Sequence, residues 1–187
     1  SARRDSMAKE AKDLFGKART LLEQYLAEFG STLDEARLKG LKRMATSAAV
    51  KSGEFKKAID SLLELIGKET VDTTSQGTIW EDLADCYFAQ ARSMSLGDDQ
   101  LKLYKKADDI YASLATALQQ GGKMTEHFFR LMAKHAAALW FTDPDKLDRL
   151  FQVMDSRGYG RRYACEKCCK VIMPLELKGA NSCIFDR

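Results

Sequence analysis

The sequence predicts an all-α protein of about seven helices arranged as antiparallel pairs. Three observations carry this. Alanine (23) and leucine (22) far outnumber valine (4) and isoleucine (6) among the 187 residues. Side chains unbranched at Cβ keep their freedom in a helix, whereas β-branched ones lose it there and favour strands. Only two prolines, Pro144 and Pro174, interrupt the chain, so long helices meet few obligatory breaks. Apolar residues recur at three- and four-residue steps from residue 8 to residue 154, which is the period of one helix face. A chain of this length buries roughly 70% of its unfolded surface, so its core needs neither disulfide nor metal.

The first helix is expected from Met7 to Phe29, where Leu14, Phe15, Ala18, Leu21, Leu22, Tyr25 and Leu26 form one apolar arc and Gly30 stops it. Thr32 and Glu35 have capping-box spacing: the hydroxyl accepts from a free N–H of the first turn and the carboxylate reaches back. The second helix then runs to Ser52, Gly53 makes a tight turn, and Glu54 to Ile66 forms the third with Phe55, Ala58, Ile59 and Leu62 inward. After a polar loop, Gly67 to Gly77, Thr78 and Glu81 repeat the capping-box spacing and open a fourth helix carrying Trp80, Leu83, Ala84, Tyr87 and Phe88. Gly97-Asp98-Asp99 turns the chain into a fifth, Gln100 to Leu118, and Gly121-Gly122 ends it. Thr125 caps a sixth helix reaching Trp140 or Phe141. Asp143-Pro144 starts a seventh, with proline in the first turn where its missing N–H is harmless. That helix ends near Arg157-Gly158. The expected organisation is a helical repeat domain over 1–158 and a basic, cysteine-containing tail over 159–187.

The expected starts at Ser31, Thr78 and Thr125 lie 47 residues apart, two helices to each interval. Repeated pairs of this kind bury their apolar stripes only against their neighbours. The first helix then reads as the second half of a pair, and the chain as a piece cut from a longer array. A plain bundle of the same helices is the competing arrangement.

Trp80-x-x-Leu83-Ala84-x-x-Tyr87 followed by Ala107-x-x-x-Tyr111 resembles the tetratricopeptide repeat, with Ala49, Gly53, Phe55, Ala58 and Leu62 similar to the turn and second helix of another copy. Phe129, Met132, Ala133 and Ala136 are a weaker third. The helices here are longer than the family's, the closing proline is absent, and the 47-residue spacing exceeds the usual ~34. The resemblance implies a tetratricopeptide-like α-solenoid that binds a protein or peptide on its concave face without catalysis. The groove residues it implies are Arg43 and Ser47, then Glu81, Asp85 and Phe88, then Arg130 and Lys134. The family's lysine and asparagine clamp for C-terminal carboxylates is missing.

Thirty basic and 27 acidic residues leave a net charge of +3, a balance that does not by itself imply nucleic acid or an anionic membrane as the partner. The longest apolar run, Ala136 to Phe141, is far too short to span a bilayer. Four of the five cysteines crowd the C-terminal end, unlike a secreted disulfide scaffold, so a reducing, cytoplasmic setting is expected. Cys165 and Cys168 form a C-x-x-C pair that holds two thiolates at the separation zinc needs, with Cys169 and Cys183 as further candidate ligands. Unpaired thiols in a loose tail are the competing reading. Around these cysteines Arg157, Arg161, Arg162, Lys167 and Lys170 alternate with Tyr159 and Tyr163. Cations beside stacking rings suit single-stranded nucleic acid, so a zinc-stabilised adaptor with a nucleic-acid-contacting tail is the alternative function. No nucleophile, metal-protease or phosphate-loop motif occurs, so no enzyme is expected and no cofactor beyond that zinc. His135 and Cys86 lie among apolar residues and read as core, and Trp80 and Trp140 as packing anchors.

Overall fold

The computed structural model describes residues 2–67, 77–122 and 125–156, and every regular element among them is helical. The elements are α1 (Ala2–Phe29), a single 3-10 turn (Gly30–Thr32), α2 (Glu35–Ser52), α3 (Phe55–Ile66), α4 (Gly77–Ser93), α5 (Asp98–Gln120), α6 (Glu126–Thr142) and α7 (Pro144–Asp155). Each helix packs chiefly against the helix before and after it in the chain. The expected tail, residues 159–187, lies outside the described residues.

The turn chemistry explains most boundaries. Gly53 adopts φ 87°, and its N–H, with that of Glu54, closes back on Ala49 and Val50, so α2 ends in a left-handed cap that any side chain would strain. Gly67 ends α3 in the same way at φ 58°. Asp143 accepts a hydrogen bond from the Lys146 N–H at 3.2 Å, and Pro144 follows in the first turn of α7, as its sequence predicts. The end of α4 is capped from a distance: the buried Gln100 side chain donates to the carbonyls of Ala91 and Met94 at 2.9 and 3.1 Å.

Two expected capping boxes form differently. Asp34, not Thr32, caps α2, accepting from the Arg37 N–H at 2.8 Å; the Thr32 hydroxyl instead donates to the Phe29 carbonyl inside the 3-10 turn. A carboxylate is the stronger acceptor for a helix N-terminus, and it stands two residues closer to the first turn. Thr78 lies within the first turn of α4 rather than before it, and the Glu81 carboxylate is engaged elsewhere. The helices therefore begin at Glu35, Gly77 and Glu126, unequal intervals that replace the even 47-residue spacing expected from Ser31, Thr78 and Thr125.

The core runs from the second half of α2 to α7 and is lined by small side chains at the helix crossings. Ala58, Ala84, Ala91, Ala107 and Ala136 to Ala138 are completely buried, which lets neighbouring backbones approach closely. Larger residues fill the layers between: Leu62, Leu83, Tyr111, Leu131, Leu139 and Met154. Phe88, Tyr104 and Phe141 join α4, α5 and α6 at one end, the last two stacked at 4.2 Å between centroids. By contrast α1 contributes no buried side chain among the described residues. It is held to α2 through half-buried Phe15, Leu22 and Leu26, and Arg19 pairs with Glu54 at the start of α3 at 3.1 Å.

The alanine contacts set a volume limit. Ala107→Leu is expected to destabilise the chain by about 1–3 kcal/mol through overpacking. Leu96→Ala, in the exposed turn between α4 and α5, should change stability by less than about 0.5 kcal/mol. Urea unfolding of the two variants measures the contrast.

Candidate functional site

Several charged side chains of α2, α4 and α6 meet across the gaps between these helices. Glu81 and Asp85 stand four residues apart on α4, and His127 and Lys134 seven apart on α6, so each couple projects from one face of its helix. Their apposition places the Lys134 ammonium 2.7 Å from Glu81 Oε1 and 2.7 Å from Asp85 Oδ2. His127 Nε2 lies 2.8 Å from the other Glu81 oxygen. From α5 the buried Tyr111 hydroxyl donates to Asp85 Oδ1 at 2.6 Å, and its ring lies under the Lys134 ammonium at 5.9 Å. Between α2 and α4 the Arg43 guanidinium donates twice to Asp82 Oδ2, at 2.9 and 2.6 Å. A second buried carboxylate, Asp108 of α5, faces His135 of α6 at 2.8 Å.

Burial sorts these groups. The side chains of Lys134 and Glu81 are only 6% and 10% exposed, whereas Asp85 and His127 keep 44% and 42%. A buried ammonium is tolerable only when opposite charge meets it. Burial alone would lower the Lys134 pKa, but Asp85 and Glu81 outweigh it and hold the ammonium above the usual lysine range. Burial likewise works against ionised Glu81, yet Lys134 and His127 prevail and keep the carboxyl below its ordinary value. The Cys86 thiol, buried beside Asp85 and Asp82, is pushed up to about 12. Lys134 is thus a fixed cation and Cys86 a protonated thiol at neutral pH, and neither is poised as a nucleophile. Chemically the arrangement clamps charge between helices.

Of the seven residues implied as groove positions, the structure brings Glu81, Asp85 and Lys134 into one network. Glu81 and Lys134 are buried in it and satisfy each other, and Phe88 is buried in the aromatic cluster with Tyr104 and Phe141. Burial withdraws these three from the open groove positions that the resemblance implies. Ser47 and Arg130 are exposed, and Arg43 and Asp85 are half-buried. Arg43, Ser47 and Asp85 border a cleft of about 290 Å³ between α2 and α4, together with Val50, Asp82 and Cys86. Tyr111 and Asp82 were not among the expected site residues. The first looks like core from its spacing, and the hydroxyl bond to Asp85 depends on where α5 lies. His135 and Cys86 sit in the core region as expected, with His135 paired to Asp108.

Among the described residues no cluster of three His, Cys, Asp or Glu side chains is arranged to hold a metal, and no helix is long and apolar enough to cross a membrane. The candidate zinc ligands Cys165, Cys168, Cys169 and Cys183 lie outside the described residues. Comparison of the chain with protein-family models, with curated proteins and with solved structures returns no match.

Removing Lys134 leaves the buried Glu81 carboxylate without its main counter-ion and next to half-exposed Asp85. Lys134→Ala is expected to destabilise by about 3–5 kcal/mol, and the additional change Glu81→Gln should recover part of that loss in thermal unfolding. Glu81 also predicts a pH dependence. Its folded pKa lies below the ordinary 4.5, so its contribution is complete above 4.5 and disappears as pH falls through the folded value. Asp108, held below 3.8 by His135 and Lys105 against the opposing effect of burial, acts in the same direction at lower pH. Unfolding free energies followed down to pH about 2.5 should fall less steeply in Glu81→Gln than in the parent.

Proposed function

We propose that this chain is a non-catalytic scaffold of stacked helix pairs that binds a protein or peptide along its first-helix face. The observation that supports the reading is the run of charged pairs joining α2 to α4 and α4 to α6: Arg43 with Asp82, and Lys134 with Glu81 and Asp85. These pairs bridge alternate helices, which is compatible with a stack of helix pairs. The resemblance of Trp80, Leu83, Ala84, Tyr87, Ala107 and Tyr111 to the tetratricopeptide pattern points the same way.

On this reading the roles of the implied groove residues divide. Glu81, Phe88 and Lys134 hold the wall in shape. Arg43, Ser47, Asp85 and Arg130 offer the contacts, with cations and carboxylates alternating along the face. A mixed-charge lining favours a partner segment that itself carries both signs, and excludes the uniformly cationic surface that nucleic acid selects.

The test uses the exposed members of the set. Peptides enriched from a display library by the parent chain should lose at least about tenfold in affinity for Arg130→Glu and for Ser47→Arg, with melting temperatures unchanged, because both positions lie outside the buried network. Peptides that bind both variants as tightly as the parent would place the docking face elsewhere.

A further inference from the structure

Helix α1 carries two apolar stripes. One, formed by Phe15, Leu22 and Leu26, is half-buried against α2. The other repeats every seven residues at Met7, Leu14 and Leu21, with Ala11, Ala18 and Tyr25 at the intervening four-residue steps. That is the spacing of a coiled-coil seam, and it faces solvent: Met7, Leu14 and Leu21 are 62%, 58% and 66% exposed. Tyr25, Phe29 and Met44 of α2 extend the patch, and a groove of about 630 Å³ between α1 and α2 runs beside Leu21 and Tyr25. Six large side chains at such exposures present roughly 600 Å², the upper end of what the largest apolar patch on a monomer carries.

From this seam we infer that the chain self-associates through α1, in an antiparallel, two-fold symmetric pair centred on Leu14. The seam fits its own reverse. With Leu14 on the axis, Met7 meets the partner subunit's Leu21, and Ala11 lies near the partner subunit's Ala18, where small side chains let the helices approach. Glu10 and Lys17 border the seam on the side away from α2. Neither makes an ion pair among the described residues. In this register Glu10 stands opposite the partner subunit's Lys17, and symmetry makes the pair twice. A parallel pairing would carry the two flanks to opposite sides of the seam and form neither ion pair, setting Glu10 and Lys17 beside apolar Phe15 and Leu22 instead, so charge favours the antiparallel form. The face is separate from the α2–α4–α6 surface, and the inference stands independently of the proposed peptide binding.

Sedimentation equilibrium of the full chain between about 1 and 100 μM tests it. The expected species is a dimer. Leu14→Glu places two carboxylates at the axis and should weaken association by at least about 100-fold, with an unchanged circular-dichroism melt of the monomer showing that the fold survives. Glu10→Lys alone should weaken it by about tenfold, and Glu10→Lys with Lys17→Glu should restore the parent value. A chain that stays monomeric at 100 μM overturns the inference. So does a dimer indifferent to Leu14→Glu, or a charge-exchanged double variant no better than Glu10→Lys.

Discussion

A buried ammonium admits very few arrangements of the chain around it. Lys134 lies inside the stack with 6% of its side chain exposed, and a charge so placed is unfavourable by several kcal/mol unless paired and hydrogen-bonded. Glu81 and Asp85 meet it from one face of α4, and Tyr111 completes Asp85 from α5. Sliding α6 by one turn along α4 would strand all of these groups. Apolar contacts alone tolerate such slips, because one alanine or leucine layer resembles the next. The three helices are therefore held in a single register by electrostatics and drawn together by burial of their alanine-rich faces.

The same logic weakens toward the start of the chain. Between α2 and α4 the link is the Arg43–Asp82 pair, about two-fifths exposed on both sides, where solvent screens the attraction and the net stabilisation falls below about 1 kcal/mol. Further on, α1 has only half-buried contacts with α2 and the Arg19–Glu54 pair. Local opening is easiest where buried apolar contacts are fewest. The helical stack thus has a rigid end built on α4, α5 and α6 and a looser end at α1, which also carries the exposed seam.

Much of this fold is legible in the sequence for a physical reason: seven helices follow from apolar periodicity, and Gly53, Gly67 and Asp143-Pro144 mark boundaries because each meets a local backbone requirement. The caps of α2 and α4 are less legible. Thr32 and Asp34 both suit an N-cap, and the choice turns on a 3-10 turn between α1 and α2 that no pattern announces. The charged network is legible in part. Glu81 with Asp85, and His127 with Lys134, share faces by spacing alone. What the spacing does not say is that these faces meet each other and leave the solvent. The pairing of Glu81 with Lys134 spans 53 residues, and such contacts are decided by how the helices stack.

That distinction changes what the first-helix face can do. Read as a row of solvated positions, Glu81, Asp85 and Lys134 would each be an independent contact for a partner. Placed as they are, they act as one unit: a ligand that draws Asp85 away from Lys134 leaves a buried cation with half its compensation. The accessible edge of the network, Asp85 and His127, is therefore coupled to the packing of α4 on α6. A partner gains from this edge only if it supplies a negative group to replace the one it displaces, or leaves the pair intact and binds beside it. Arg130 and Ser47, outside the network, carry no such constraint. If this face binds a partner as proposed, discrimination falls most naturally on them, and resistance to deformation on buried Glu81 and Lys134.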